Sequence, residues 1–251
     1  MGYSTAQPST GEQEPDRWAF VYRVTGDIRF ISHKDMMRVF QRALARASLP
    51  VRYSEGFNPH ARISITMPRP VGVSSDADVV TVQFAEAIDG ERARRELDHQ
   101  MPFGIDIYEA SRLERKERWT PIGVEYRLSL PDDAPPDLQQ RVLKITDSEE
   151  LLVERTLHKN GHTRRFNAKP YITDVRLNDH DVHFSLLVTQ EGTLRPVEFA
   201  RLLELDESLV GHRIHRVRID WRKEKKRANL SHDTTTNSGT GKEKESCTQK
   251  T

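Results

Sequence analysis

The sequence predicts an α+β protein built from two ferredoxin-like (βαββαβ) units, each an antiparallel sheet with its helices packed on one face. Three observations lead there. Residues 17–115 and 116–223 each hold β-type apolar runs interrupted by segments of helical period. The order of those segments approximates β-α-β-β-α-β in both halves, the split βαβ arrangement. The two ends, 1–16 and 224–251, carry almost no large apolar side chains and are expected to be disordered tails, because they cannot bury enough surface to offset chain entropy. No sequence identity links the halves, so the repetition rests on element order alone.

The first unit opens on Trp18–Val24 (WAFVYRV), apolar, aromatic and β-branched, which reads as a strand. Thr25-Gly26-Asp27 breaks it, and Ile28–Ile31 resumes the alternation. Ser32 fits an N-cap with Asp35 as its acidic partner, and a helix follows from about His33 to Ser48. Met36, Phe40, Ala43, Leu44 and Ala47 share one face; Lys34, Arg38, Arg42 and Arg46 recur every four residues nearly opposite. Leu49-Pro50 ends the helix. Val51–Ser54 reads as a short strand, Glu55–His60 as a loop with Gly and Asn-Pro turn chemistry, and Arg62–Met67 as a strand. Val79–Phe84 is a strong β run, Asp89 to about Met101 a helix, and Gly104–Ala110 a strand.

Lys116–Gly123, with Pro121, reads as a connector. The second unit then has a strand at Val124–Leu130, a helix at Pro136–Ile145, and an ambiguous stretch at Glu149–Leu157 that favours strand. Hairpin strands at Lys169–Leu177 and Val182–Val188 join near Asn178-Asp179. Pro196 suits the first turn of a helix over Val197–Leu205. Arg213–Trp221 alternates as a final strand, with Ile214, Val217, Ile219 and Trp221 as its apolar marks.

The charge distribution narrows the function classes. The 251 residues carry a net charge of only +1, which argues against a protein that coats nucleic acid over its whole surface. Yet between Arg29 and Arg62 seven Arg or Lys stand against two Asp or Glu. The single cysteine, Cys247, excludes a disulfide framework and an all-cysteine zinc or iron–sulfur site. No signal peptide is expected, and no run approaches the ~18 apolar residues of a membrane span, so the expected location is cytoplasmic. No cofactor and no metal site are expected, the histidines being scattered.

The basic stretch holds the candidate site. Guanidinium groups engage phosphate oxygens bidentately, so Arg29, Arg38, Arg42, Arg46, Arg52 and Arg62 are candidate RNA contacts; the competing reading is an ordinary solvated helix face. Tyr53 and Phe57 offer rings for base stacking and Asn58 a hydrogen-bonding amide, the mixture expected for single-stranded or irregular RNA. Arg195, set before a proline in the second half, is a further candidate. His33 and His60 are the candidate catalytic pair, able in type to act as acid and base in RNA strand cleavage. The alternatives are an exposed His33 in the first helical turn and a His60 that only braces the Asn-Pro turn. No Gly-rich phosphate loop, Gly-x-Ser-x-Gly, His-Glu-x-x-His or Cys-x-x-Cys occurs.

Arg29–Arg38 (RFISHKDMMR) and Tyr53–His60 (YSEGFNPH) resemble the bacterial radical-SAM-linked protein family, an uncharacterised domain found beside or fused to radical SAM proteins. Val71–Ser75 and Thr193–Pro196 also fit, and the likeness covers about residues 17–222. The chain departs from it at Lys34, where an apolar residue is common, at Ala61, and at Asn167–Pro170. The resemblance implies a radical SAM partner on a separate chain, and a setting of RNA maturation or modification with tRNA or rRNA as partner. It implies no reaction for this chain, and a protein-interaction adaptor that meets no nucleic acid, its basic ridge facing an acidic partner, is the other alternative.

Overall fold

The computed structural model describes residues 15–115, 117–156, 161–206 and 210–225. Ten strands and four helices are assigned among them. The first half holds β1 (Asp16–Val24), α1 (His33–Arg46), β2 (Ile63–Ile65), β3 (Ser74–Phe84), α2 (Gly90–Asp98) and β4 (Ile105–Leu113). The second holds β5 (Glu117–Ser129), α3 (Leu138–Asp147), β6 (Leu152–Thr156), β7 (Thr163–Asn167), β8 (Ile172–Leu177), β9 (Asp181–Leu187), α4 (Pro196–Leu202) and β10 (Ile214–Lys225). Among these residues no helix is long and apolar enough to cross a membrane.

One eight-stranded, mostly antiparallel sheet runs through both halves in the order β4-β1-β3-β10-β5-β9-β8, with β2 also paired to β3. Strands β6 and β7 form a separate hairpin between α3 and β8. Every pairing is antiparallel except the junction between the halves. There β3 and β10 run parallel and share two residue pairs, His215 with Ser74 and Arg216 with Ser75.

Period decides what is buried. Phe20, Tyr22 and Val24 alternate on β1 and pack with Met36, Phe40, Ala43 and Leu44 of α1 and Ala93 and Leu97 of α2. The equivalent cluster of the second half gathers Val124, Tyr126 and Leu128 of β5, Leu138, Val142 and Ile145 of α3, and Phe199 and Ala200 of α4. The other face of β1 presents Ala19 and Val21. They are covered with Val79 and Leu113 by Trp119 and Trp221, which lie on the β5/β10 ribbon.

That ribbon corrects the sequence reading. Lys116–Gly123 is not a connector: from Glu117 onward it is strand, paired to β10 as far as Lys225. Pro121 is tolerated because the register shifts beside it, between Asp220 and Trp221. Ile28–Ile31 does not resume a strand either; Gly26–Phe30 is a 3-10 turn entered through Gly26 at a φ of 61°. Val51–Ser54 makes only isolated bridges, Val51 to Phe84 and Tyr53 to Ala61. The expected tails fall outside the described residues apart from their inner ends. Asp16 there is not tail but the buried start of β1, and Glu224 and Lys225 close β10.

Candidate nucleic-acid interface

Helix α1 is set by its cap. The Ser32 hydroxyl accepts from the backbone N–H of Asp35 at 3.2 Å and donates to the Asp35 carboxylate at 2.7 Å. Arg38 pairs with that carboxylate at 2.7 Å, and the Ser32 hydrogen bond and Arg38 together hold it below the usual carboxylate range. The basic ridge is therefore not uniform. Arg38 is neutralised by its own first turn. Arg46 is tethered to the side chain of Gln100 at 3.1 Å and to its carbonyl, but keeps its charge. Lys34 and Arg42 are exposed and make no ion pair among the described residues. Glu96 and Glu91 of α2 do not neutralise the ridge; they pair with Arg92 and Arg94 of their own helix.

The second part of the site is a narrow ribbon. Arg52 donates its backbone N–H to Gln83 and accepts from Arg62, both at 2.8 Å; Ser54 donates to the His60 carbonyl at 2.8 Å. The Ser54 hydroxyl accepts from the His60 N–H at 2.9 Å. This pins the base of a loop whose tip, Glu55 to His60, is exposed throughout. Gly56 has a φ of 122°, open only to glycine, and its neighbourhood is empty. Phe57 consequently stands fully in solvent, and Tyr53 is 53% exposed. Burying a phenylalanine gains about 1.5–3 kcal/mol, which this loop forgoes. Asn58 is exposed beside it, and the side chains of Arg52 and Arg62 make no ion pair among the described residues.

The two histidines stand in different local settings. His33 lines a small cleft with Tyr22, Ile31, Ser32, Met36, Ile65, Arg69 and Asp78. His60 is not among its walls and serves the base of the loop through its backbone. Arg29 lies in the 3-10 turn, its guanidinium 5.0 Å over the ring of Phe30. Arg195 belongs to the other half and starts α4, its N–H donating to Glu198 at 2.8 Å. Glu198 is buried and held by both nitrogens of the Arg155 fork at 2.7 and 2.6 Å, and the Thr193 carbonyl accepts from Arg155 at 2.9 Å. The Thr193–Pro196 string is accounted for by that packing. Lys169 likewise donates to the carbonyls of Ile145 and Thr146 at the end of α3.

Two polar clusters at the junction of the halves escaped the sequence reading. Both arise from a bulge in β3: Tyr22 pairs with Asp78 and Val24 with Ser75, so Asp76 and Ala77 together oppose Arg23. The extra residue sends Asp76 and Asp78 to opposite faces. Asp78 points to the core, where its Oδ1 accepts from Ser75 at 2.7 Å and from Arg216 at 2.8 Å. Burial opposes the charge on Arg216, but Tyr126 and Asp78 outweigh it and hold its pKa above the ordinary value. Asp76 faces the other way and binds Arg23 at 2.9 Å and Nε2 of His215 at 2.8 Å, while Nδ1 of His215 meets Ser74 at 2.9 Å. The available signal was Ser74-Ser75-Asp76-Ala77-Asp78, five polar or small residues leading straight into a buried strand.

The bacterial family DUF2344, described as "Uncharacterized protein conserved in bacteria", matches residues 17–196, well over half of the chain. This chain belongs to the DUF2344 family. The matched span takes in α1, the loop with Phe57, both junction clusters' β3 residues and the start of α4, but not β10. A crystal structure titled as that of an unknown protein from Galdieria sulphuraria is similar at 13% identity, covering 84% of this DUF2344 chain and 99% of that chain, with a TM-score of 0.24. An overlap at that level carries no argument. No curated protein matches.

Proposed function

We propose that this chain is an RNA-binding module that presents RNA to a separate radical SAM protein during RNA maturation or modification. The observation that carries the reading is the exposed Phe57 at the tip of a loop bordered by unneutralised cations. A ring in solvent beside free guanidinium groups offers what a splayed base and its phosphate need, stacking and charge together. Arg52 and Arg62 at the base of the loop supply the charge, and Lys34, Arg42 and Arg46 of α1 a further basic face; Tyr53 and Asn58 supply a second ring and an amide. Arg38 contributes less because Asp35 neutralises it, and Arg29 and Arg195 have local structural roles.

The radical SAM partner rests on the resemblance of the Ser54–His60 string. It would be a separate chain, since one cysteine cannot ligate such a cluster. The two-unit reading is supported by strand order: β4-β1-β3-β2 and β10-β5-β9-β8 follow the same antiparallel sequence, as two ferredoxin-like units split near residue 116 would. Cleavage by His33 and His60 is disfavoured by their separate settings.

Filter-binding titration against tRNA and rRNA fragments at two salt concentrations tests the reading. Binding that weakens with salt, and weakens again in Phe57→Ala and in Arg42→Glu/Arg62→Glu, is expected. Absence of binding at low salt, or binding without a salt slope, overturns it and leaves a protein-docking surface in its place.

A further inference from the structure

The outer face of the sheet carries a polar network that RNA binding at the Phe57 loop does not use. Ser74 and His215 are directly paired in the short parallel join between β3 and β10, so their side chains share one face. Ser74 Oγ stands 2.9 Å from Nδ1 of His215, and Nε2 of His215 stands 2.8 Å from Oδ2 of Asp76. Asp76 reaches that face because of the bulge in β3, a device that re-aims side chains and recurs beside active sites.

The carboxylate is held in place from behind. Oδ1 of Asp76 accepts from Nε of Arg23 on β1 at 2.9 Å, and its backbone carbonyl accepts from the Tyr108 hydroxyl on β4. The Arg23 guanidinium lies 5.8 Å from the centre of the Tyr108 ring, so these two also steady one another. Burial works against the charge on Asp76, but the hydrogen bond and charge of His215, together with Arg23, outweigh it and hold the carboxyl below its ordinary range. Asp76 is therefore ionised at neutral pH and only accepts.

That fixes the tautomer of His215. The hydrogen facing Asp76 is on Nε2, which leaves Nδ1 of the neutral ring with its lone pair toward Ser74. Ser74 donates its hydroxyl hydrogen to that nitrogen. A carboxylate, an imidazole and a hydroxyl in one chain of hydrogen bonds is the arrangement that activates a serine. The ring nitrogens are used in the opposite sense to the commoner arrangement, but the chemistry asks only for a bare nitrogen at the hydroxyl and an N–H at the carboxylate. On the core face the join is already tied by Arg216 and Asp78 at 2.8 Å. The outer network is separate from that tie, and the His215 side chain, 15% exposed, keeps an opening to solvent.

We infer that Ser74 is a nucleophile, activated by His215 and positioned through Asp76, that takes an acyl group from a small ester. The Ser74 proton passes to Nδ1 as Oγ bonds the ester carbonyl carbon. The tetrahedral adduct then collapses: its C–O bond to the alcohol breaks, and the leaving oxygen takes the proton from Nδ1. Water attacks the acyl-serine by the same route and releases the acid and free Ser74. The sum is ester plus water to carboxylic acid plus alcohol. Arg127 is paired with His215 across to β5, exposed and without an ion pair among the described residues. It is the cation that the register puts on this face for the oxygen that becomes negative. Arg23, Asp76 and Tyr108 are each close to half exposed, so the acyl group meets the site from solvent rather than in a deep pocket, which favours a short one. The activity does not require the ridge or the Phe57 loop.

Incubation of the full chain with a fluorophosphonate probe and, separately, with p-nitrophenyl acetate tests the inference, the modified residue being located by peptide mass spectrometry. Modification at Ser74 is expected, with release of p-nitrophenol continuing past one equivalent per chain. Ser74→Ala should abolish both. His215→Gln and Asp76→Asn should each slow modification by at least about a hundredfold, the first by removing the base and the second by no longer holding its tautomer. Ser74→Cys should be alkylated by iodoacetamide faster than Cys247 in the same chain, and His215→Gln added to it should remove that advantage. A trio that only braces the join would lower the urea midpoint in the variants while Ser74 of the parent chain stays unmodified, and that result overturns the inference. Modification at Ser74 that His215→Gln leaves unchanged overturns it as well, as does labelling confined to other residues. Failure of RNA binding bears on the earlier proposal and leaves these outcomes as they are.

Discussion

At the scale of single residues, the carboxylates at the strand starts do more than their position in the sequence announces. Asp16 is almost fully buried and accepts from Trp18 at 2.9 Å, the Ile88 N–H at 3.0 Å and Arg112 at 2.7 Å. Burial alone would raise its pKa, but those donors outweigh it and hold it below 3.8; Asp76 is lowered in the same way, burial being overcome by His215 and Arg23. A carboxylate depressed on folding stabilises the fold above its unfolded pKa, and that contribution is lost as pH falls through the lower folded value. Unfolding free energy measured by urea titration should therefore hold level near neutrality and decline below about pH 4, with Asp16 contributing more than the half-exposed Asp76. Asp16→Ala should cost about 1–3 kcal/mol at neutral pH and flatten that decline, because three donors lose their acceptor. An unchanged acid profile in the variant would show that other carboxylates carry it. None of this was legible beforehand. Asp16 looks like the last residue of a polar tail, and only Ile88 and Arg112, far away in sequence, make it an acceptor.

At the scale of elements, legibility follows how local the cause is. Helix α1 was readable because its cap, its apolar face and its stop all lie within one stretch, and Met36, Phe40, Ala43 and Leu44 are the residues buried. Ser32→Ala should lower stability by about 1 kcal/mol, seen as a lower urea midpoint with an unchanged slope, since the Asp35 N–H loses its acceptor. The hairpin of β8 and β9 and the strand lean at β6 followed from alternation in the same way. The misreadings share a different cause. Lys116–Gly123 carries a proline and few apolar residues, yet it is strand because β10 is long enough to pair with it and Trp119 has Trp221 to meet, the rings 6.0 Å apart. Val217 was expected to mark the buried face of β10, but the register shifts between Arg216 and Arg218. Arg216 goes inward in its place, and Val217 stays half-buried. A bulge changes which parity faces the core, and period counting assumes that none is present.

At the scale of the whole molecule, the join between the halves is narrow in backbone and rich in side chains. Two residue pairs link β3 to β10, and around them Arg216 reaches Asp78, Tyr126 and the Met67 carbonyl while His215 bridges Ser74 and Asp76. Arg216→Ala would leave Asp78 buried with Arg69 at a poor distance. A loss of about 3–5 kcal/mol is expected. Hydrogen exchange should show amides at Ser74–Ser75 and His215–Arg216 losing protection ahead of β1 and β9; a uniform loss across the sheet would show that the join is not where the variant fails.

The sequence by itself determined the α+β character, most of the element order, α1 with its cap and ridge, and the concentration of positive charge between Arg29 and Arg62, because each of these depends on neighbours within about ten residues. Tertiary structure decided the rest: which cations keep their charge free, that Phe57 has nothing to pack on, and that Arg69 and Arg216 meet at one aspartate, Asp78. Those outcomes depend on pairings up to 149 residues apart, from Arg216 to Met67, and on one extra residue in β3, which no local pattern encodes.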